Sequence, residues 1–232
     1  MDEKGSQSLM ARRLFLGRLG MGASAVGATV VRSPAAAAQV AADAPWRPAR
    51  HAQDDWFDKI PGEHRLVFDT TTAGGMALAL RFANNYFEAN QSAYGLKTDD
   101  LAVVIVARHK STSFCYSDAM WAKYGKQFSE QAEFTDPKTK EPPTVNVYDK
   151  VPEGSGQASP MDVLIKKGVQ FAVCMMSTRG IAGMISEATG AKVDSVIKEL
   201  GANLVANARM VPAGIVAVSR AQERGYSFVS AS

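Results

Sequence analysis

The strongest constraint on the fold is an unbroken apolar run at residues 101–107, which read LAVVIVA. β-branched residues favour strands, and a strand without alternating polar residues is buried on both faces. Shorter apolar runs at 64–69, 169–173 and 226–229 alternate with helical patterns. The sequence therefore predicts an α/β domain over residues 62–232, with a mostly parallel sheet flanked by helices.

Composition excludes several classes of protein. The chain has 232 residues, of which 46% are hydrophobic and 21% charged. These values are typical of a globular domain that is stable without disulfide bonds or bound metal ions. Its two cysteines are too few for a disulfide scaffold or a four-cysteine metal centre. We find no metal-ligand spacing, no glycine-rich nucleotide motif and no nucleophile elbow, so we expect neither a metal nor a cofactor.

The N-terminal segment has the features of an export signal. Arg12-Arg13-Leu14-Phe15-Leu16 resembles the twin-arginine signal, and Ala36-Ala37-Ala38 fits signal-peptidase cleavage before Gln39. We therefore predict a signal peptide at 1–38, recognition by the twin-arginine translocation machinery, and a periplasmic protein without a stable membrane span after cleavage. An uncleaved amphipathic helix is the alternative.

The excess positive charge also belongs to this segment. Residues 1–38 hold five basic and two acidic residues, so positions 39–232 carry 21 of each sign. The predicted mature chain is formally neutral, which disfavours nucleic acid as a partner. Residues 39–61 form a polar N-terminal arm, and we expect its aromatic residues to pack on the domain.

Reactive residues follow two of the predicted strands. His109 follows the run at 101–107, and Cys174 follows the strand at 169–173. Because ligands of parallel sheets bind beyond the carboxyl ends of the strands, this edge is the predicted functional site. His109 is interpreted either as a group that orients a ligand or moves a proton, or as a hydrogen-bonded loop residue.

The two cysteines have different interpretations. Cys174 precedes a predicted helix, whose N-terminus and nearby Arg179 would support a nucleophilic thiolate, although a small buried apolar residue is the alternative. Cys115 is interpreted as an inert packed thiol or as a resolving partner for Cys174. No Cys-x-x-Cys pair occurs, which disfavours thioredoxin-type chemistry.

Two stretches resemble the DsrE/DsrF-like family. The first is GVQFAVC at 168–174, followed by Gly180-Ile181. The second is the run at 210–226, with a Val-Pro-x-Gly motif, a helix and then Gln-x-x-Gly-Tyr. The resemblance is specific over 168–229 and general over 64–135. Exported relatives also tend to carry the Arg-His pair at 108–109 and the Trp-x-x-Tyr at 121–124.

The resemblance implies a fold, an assembly and an activity. It implies a three-layer α/β sandwich, homo-oligomers and, in some members, a cysteine that carries sulfane sulfur between donor and acceptor proteins. Cys174 lies at the matching position. Two functions therefore stay open: a periplasmic sulfur carrier, or a non-catalytic oligomeric protein that binds a ligand or supports assembly. The sequence does not decide whether the protein is an enzyme.

Overall fold

One five-stranded parallel sheet forms the centre of the computed structural model, which describes residues 47–150 and 160–232. Its strands are β1 (His64–Thr70), β2 (Leu101–Ala107), β3 (Gln170–Cys174), β4 (Ala208–Val211) and β5 (Ser227–Ala231). They are arranged in the order β4-β3-β2-β1-β5, and every neighbouring pair is parallel. The predicted α/β class is confirmed. The predicted signal peptide lies outside the described residues.

Helices cover both faces of this sheet. They are α1 (Ala73–Tyr94), α2 (Asp118–Ala132), α3 (Met161–Lys166), α4 (Met175–Thr189), α5 (Val193–Ala202) and α6 (Gly214–Gln222). Helices α1 to α5 enclose the larger core, whereas α6 packs on the opposite face against β1, β2 and β3. None of the helices in the described ranges is long and apolar enough to cross a membrane.

The central strand β2 explains why the sheet is covered twice. All seven of its residues are buried, as the unbroken apolar run predicted. Because side chains alternate along a strand, Val103 and Ile105 enter the larger core, whereas Val104 and Val106 enter the smaller one. Both faces of β2 therefore need a covering layer.

Local signals fix the start and end of α1. Thr72 has extended backbone and its hydroxyl accepts a hydrogen bond from the Gly75 N–H at 2.9 Å, which satisfies one unpaired donor of the first turn. Gly95 ends the helix in the left-handed region at φ 68°, a conformation that glycine adopts without a side-chain clash.

The described part of the arm packs into the smaller core. Trp56, Phe57 and Ile60 are buried there, and the Phe57 ring makes an edge contact with the Tyr226 ring. The Phe57 carbonyl accepts hydrogen bonds from Arg65 Nη1 at 2.9 Å and from the Tyr226 hydroxyl at 2.8 Å. Residues Pro48–Ser232 accordingly form one unit.

Ion pairs add to the arm contact. Arg224 is buried and lies 3.2 Å from Asp58 and 3.7 Å from Asp55, and Arg220 lies 3.6 Å from Asp54. Both arginines belong to the C-terminal end of α6 or the turn after it. The arm is thus held by aromatic burial in its centre and by opposite charges at its edge.

Candidate functional site

Three chemically distinct side chains form a row across the carboxyl end of the sheet. Asp69 pairs in register with Val106, and Val106 pairs with Ala172. Arg108 and Cys174 lie two residues beyond Val106 and Ala172, so alternation places both on the same face as Asp69. The row therefore runs carboxylate, guanidinium and thiol over three adjacent strands, on the face that α6 covers.

Asp69 and Arg108 form a two-pronged ion pair. Arg108 Nε donates to Asp69 Oδ1 at 2.7 Å, and Arg108 Nη2 donates to Oδ2 at 2.8 Å. The Asp69 side chain is 7% exposed and that of Arg108 is 29% exposed. Hydrogen bonding to Asp69 raises the pKa of Arg108, with smaller contributions from the charges of Asp69 and Cys174. The guanidinium therefore lies within electrostatic reach of the thiol.

The first turn of α6 packs directly on Arg108. A Cβ atom added to Gly214 would lie 2.7 Å from Arg108 Cβ and 3.0 Å from its Cδ. Only glycine permits this approach, because a real Cβ would overlap the arginine stem. Gly214 belongs to the Val-Pro-x-Gly motif, so that motif holds the guanidinium in place.

Cys174 ends β3 and is also the N-cap residue of α4. Its Sγ accepts a weak hydrogen bond from the Ser177 N–H at 3.5 Å, and its carbonyl accepts one from Thr178 Oγ1 at 2.9 Å. Positive potential at a helix N-terminus favours an anion at this position. The residue is buried, with 5% of its surface exposed.

His109 is joined to the same helix start through its backbone. Its N–H donates to Ser177 Oγ at 2.8 Å, and it adopts a positive φ of 56°. Its Nδ1 accepts from the Lys110 N–H at 2.9 Å, and its carbonyl accepts from Gln131 Nε2 at 2.9 Å. The side chain is exposed, so His109 is an anchored loop residue at the edge of the site.

Cys115 occupies a different environment. It ends a 3-10 turn at His109–Cys115, is completely buried in the larger core, and burial raises the pKa of its thiol. Both cysteines are free thiols. Tyr116 directly follows Cys115, and its hydroxyl shares a 2.8 Å hydrogen bond with Thr178 Oγ1. Burial raises the pKa of Tyr116, and the charges of both cysteines add to that shift.

The positively charged residue near Cys174 in the structure is not the one that the sequence predicted. Arg179 is exposed on α4, five residues beyond Cys174, because the helix begins at Met175. The guanidinium on the row with Cys174 is that of Arg108. Sequence reasoning missed Asp69 and its ion pair with Arg108. The available signal was that both residues stand at the ends of neighbouring predicted strands.

A separate cavity of about 430 Å³ lies at the N-terminus of α2. Its lining includes Asp118, Asp149 and Asp162, and none of the predicted site residues. Burial, together with the charges of Asp118 and Asp162, raises the pKa of Asp149. Over the described ranges, no group of three or more histidine, cysteine or carboxylate side chains is arranged to hold a metal ion.

Fold and site together define a parallel α/β protein with a thiol at the carboxyl edge of its sheet. No protein-family model and no curated protein matches the chain. The chain is similar to a solved structure of a protein of unknown function, MTH1491 from Methanobacterium thermoautotrophicum. The two are 14% identical, the match covers 72% of this chain and 99% of that chain, and the TM-score is 0.38.

Proposed function

We propose that this protein is a periplasmic sulfur carrier that holds sulfane sulfur on Cys174. The observation that carries the proposal is the position of its Sγ, at the start of α4 and on one row with the Arg108 guanidinium. A helix N-terminus and a cation both favour the thiolate, which is the form of cysteine that attacks sulfur. The resemblance to DsrE/DsrF-like proteins adds support to the assignment of Cys174.

The proposed chemistry is an exchange with a persulfide donor. The Cys174 thiolate attacks the outer sulfur of R–S–SH, a new bond forms to that sulfur, and the donor S–S bond breaks. The donor leaves as the thiolate RS⁻, and the proton stays on the transferred sulfur, which gives a Cys174 persulfide. An acceptor thiolate then attacks the same outer sulfur and releases the Cys174 thiolate. No net oxidation occurs in either step.

Sulfur uptake is the direct test of this function. The purified mature protein, incubated with a small-molecule persulfide, is expected to gain the mass of one sulfur atom. Cys174→Ser should abolish the gain, and its hydroxyl can keep the cap to Ser177 because serine is a good N-cap residue. The matched control is Cys115→Ala, which removes the buried thiol and should keep the gain. Uptake that survives in Cys174→Ser and disappears in Cys115→Ala would contradict the assignment.

A non-catalytic oligomeric protein is the second candidate, and exposed apolar residues favour it. Ile215 on the first turn of α6 is 59% exposed, and Met176 on the first turn of α4 is 61% exposed. Both residues follow strand ends at the edge that carries Cys174. A contact between subunits would bury them. If Cys174 takes up no sulfur in the folded protein, this second function is preferred.

Export is tested by the arginine pair. The double substitution Arg12→Lys and Arg13→Lys is expected to keep the protein in the cytoplasm, because the translocation receptor recognises the two arginines. Cell fractionation measures the distribution, and Arg18→Lys is a matched control that should leave export unchanged. Normal periplasmic recovery of the double variant would contradict the proposed location.

A further inference from the structure

The ion pair beside Cys174 is held more firmly than a surface salt bridge. Asp69 is almost completely buried, and Gly214 packs against one side of the aliphatic part of Arg108. The backbone N–H of Arg108 donates to Ser111 Oγ at 3.0 Å. The guanidinium therefore has little freedom to leave its place on the row. A fixed charge of this kind acts on a neighbouring ionisable group in a defined direction.

We propose that the Asp69–Arg108 pair controls how fast the Cys174 sulfur attacks an electrophile, with the positive charge of Arg108 accelerating the attack and the negative charge of Asp69 slowing it. This inference deepens the proposed function, on which it rests for its purpose: it names the charges that regulate the carrier thiol. Arg108 is here a positioning residue, since it acts through Cys174.

Strand spacing decides which of the two charges dominates. Neighbouring strands lie about 4.8 Å apart, so the ends of β2 and β3 are one spacing apart and those of β1 and β3 are two. The Coulomb energy falls with distance, so the positive charge of Arg108 outweighs the more distant negative charge of Asp69. The pair as a whole therefore accelerates attack by Cys174, and by less than Arg108 alone would.

Other charged and ionisable groups around Cys174 are the same in all these variants, and they include Arg209 on β4, which pairs in register with Ala172 and lies over the Trp56 ring. Cys115 at the end of the 3-10 turn and Tyr116 directly after it stay neutral near pH 7, because burial raises the pKa of each. His109 approaches from the same turn through its backbone, and Arg179 lies further along α4 and is exposed. None of these groups is changed when Asp69 or Arg108 is replaced.

Opposite signs in two variants test the proposal. In a Cys115→Ala background, the iodoacetamide alkylation rate of native Cys174 is measured from pH 5.5 to 9. At pH 6.5, Arg108→Gln is expected to slow the reaction about tenfold, because the attacking sulfur loses the neighbouring positive charge that favours it. Asp69→Asn is expected to accelerate it about threefold, because the opposing charge is gone and the amide oxygen still accepts a hydrogen bond from Arg108.

Two controls separate charge from structure. Arg108→Lys keeps a positive charge and should stay closer to the parent rate than Arg108→Gln does. Arg179→Gln should leave the rate unchanged within about twofold, because an exposed charge is screened by solvent. A merely structural ion pair would make Asp69→Asn and Arg108→Gln change the rate in the same direction, and that result overturns the proposal.

Each variant gives a decision even if another fails to fold. If Arg108→Gln unfolds, the Asp69→Asn rate alone decides, since acceleration supports the inference and slowing overturns it. The assay needs no sulfur donor, so it is independent of the proposed function. If the two variants change the alkylation rate as expected and the protein takes up no sulfur, only the carrier function is overturned. If the protein takes up sulfur and the variants do not change the alkylation rate as expected, only this inference is overturned.

Discussion

Iodoacetamide is expected to modify Cys174 of the native protein about a hundred times faster than Cys115 at pH 7.5, or more. Cys174 keeps 5% of its surface exposed and lies at a helix start near a guanidinium. Cys115 is completely buried, burial raises the pKa of its thiol, and it reacts only when the core opens. The rate for Cys174 should rise with pH as thiolate forms. Mass spectrometry of time-resolved digests measures both rates in one sample.

Single-cysteine variants make this comparison unambiguous. Cys115→Ala leaves only Cys174, and Cys174→Ser leaves only Cys115. Labelling in concentrated urea should make the two rates similar, because unfolding removes the difference in burial. Equal rates in the native state, or labelling of Cys174 only after unfolding, would make Cys174 a core residue and favour the assembly function.

Phe57→Ala is expected to lower the free energy of unfolding by about 3–5 kcal/mol, as for other completely buried aromatic residues. Phe57 is completely buried, stacks on Trp56 with 3.8 Å between ring centroids, and contacts Tyr226. Because domains are stable by only about 5–15 kcal/mol, this loss is large. Urea denaturation followed by tryptophan fluorescence measures it.

The matched control lies on an exposed helix end. Tyr94 is 75% exposed, so Tyr94→Ala should change the free energy of unfolding by about 0.5 kcal/mol or less. A cost below about 1 kcal/mol for Phe57→Ala would contradict the role of the arm as part of the core. The expected result would mean that a fragment starting at residue 62 lacks part of its own core.

Regular local patterns allowed much of the fold to be predicted. The run at 101–107 predicted a strand buried on both faces, and β2 is that strand. Thr72 and Gly95 are the caps of α1, and residues of these types are local signals because a cap depends on a few neighbouring residues. The sequence predicts a helix after Cys174 without fixing its first residue, and α4 begins at Met175, since a strand that turns directly into a helix leaves no loop to mark the boundary.

The site was predicted less completely, because its main contact joins distant parts of the chain. Cys174 and His109 were placed at strand ends, where the structure has them. The Asp69–Arg108 ion pair spans 39 residues, and its geometry depends on which strands are neighbours and in which register. Neither the charges of these residues nor their spacing in the sequence shows which strands are neighbours in the sheet. Arg179 was chosen as the cation because it is near in sequence, whereas Arg108 is near across the sheet.

The pairing of the last strand with the first has a consequence for how the protein is made. Strand β5 adds beside β1, and Tyr226, just before β5, closes over Phe57 of the arm. During synthesis the arm and β1 emerge first, and they wait for about 160 further residues before these partners exist. The smaller core therefore closes only after α6 and β5 have been synthesised. A chain that stops before residue 213 has no α6 or β5, and it leaves Phe57 and one edge of β1 uncovered.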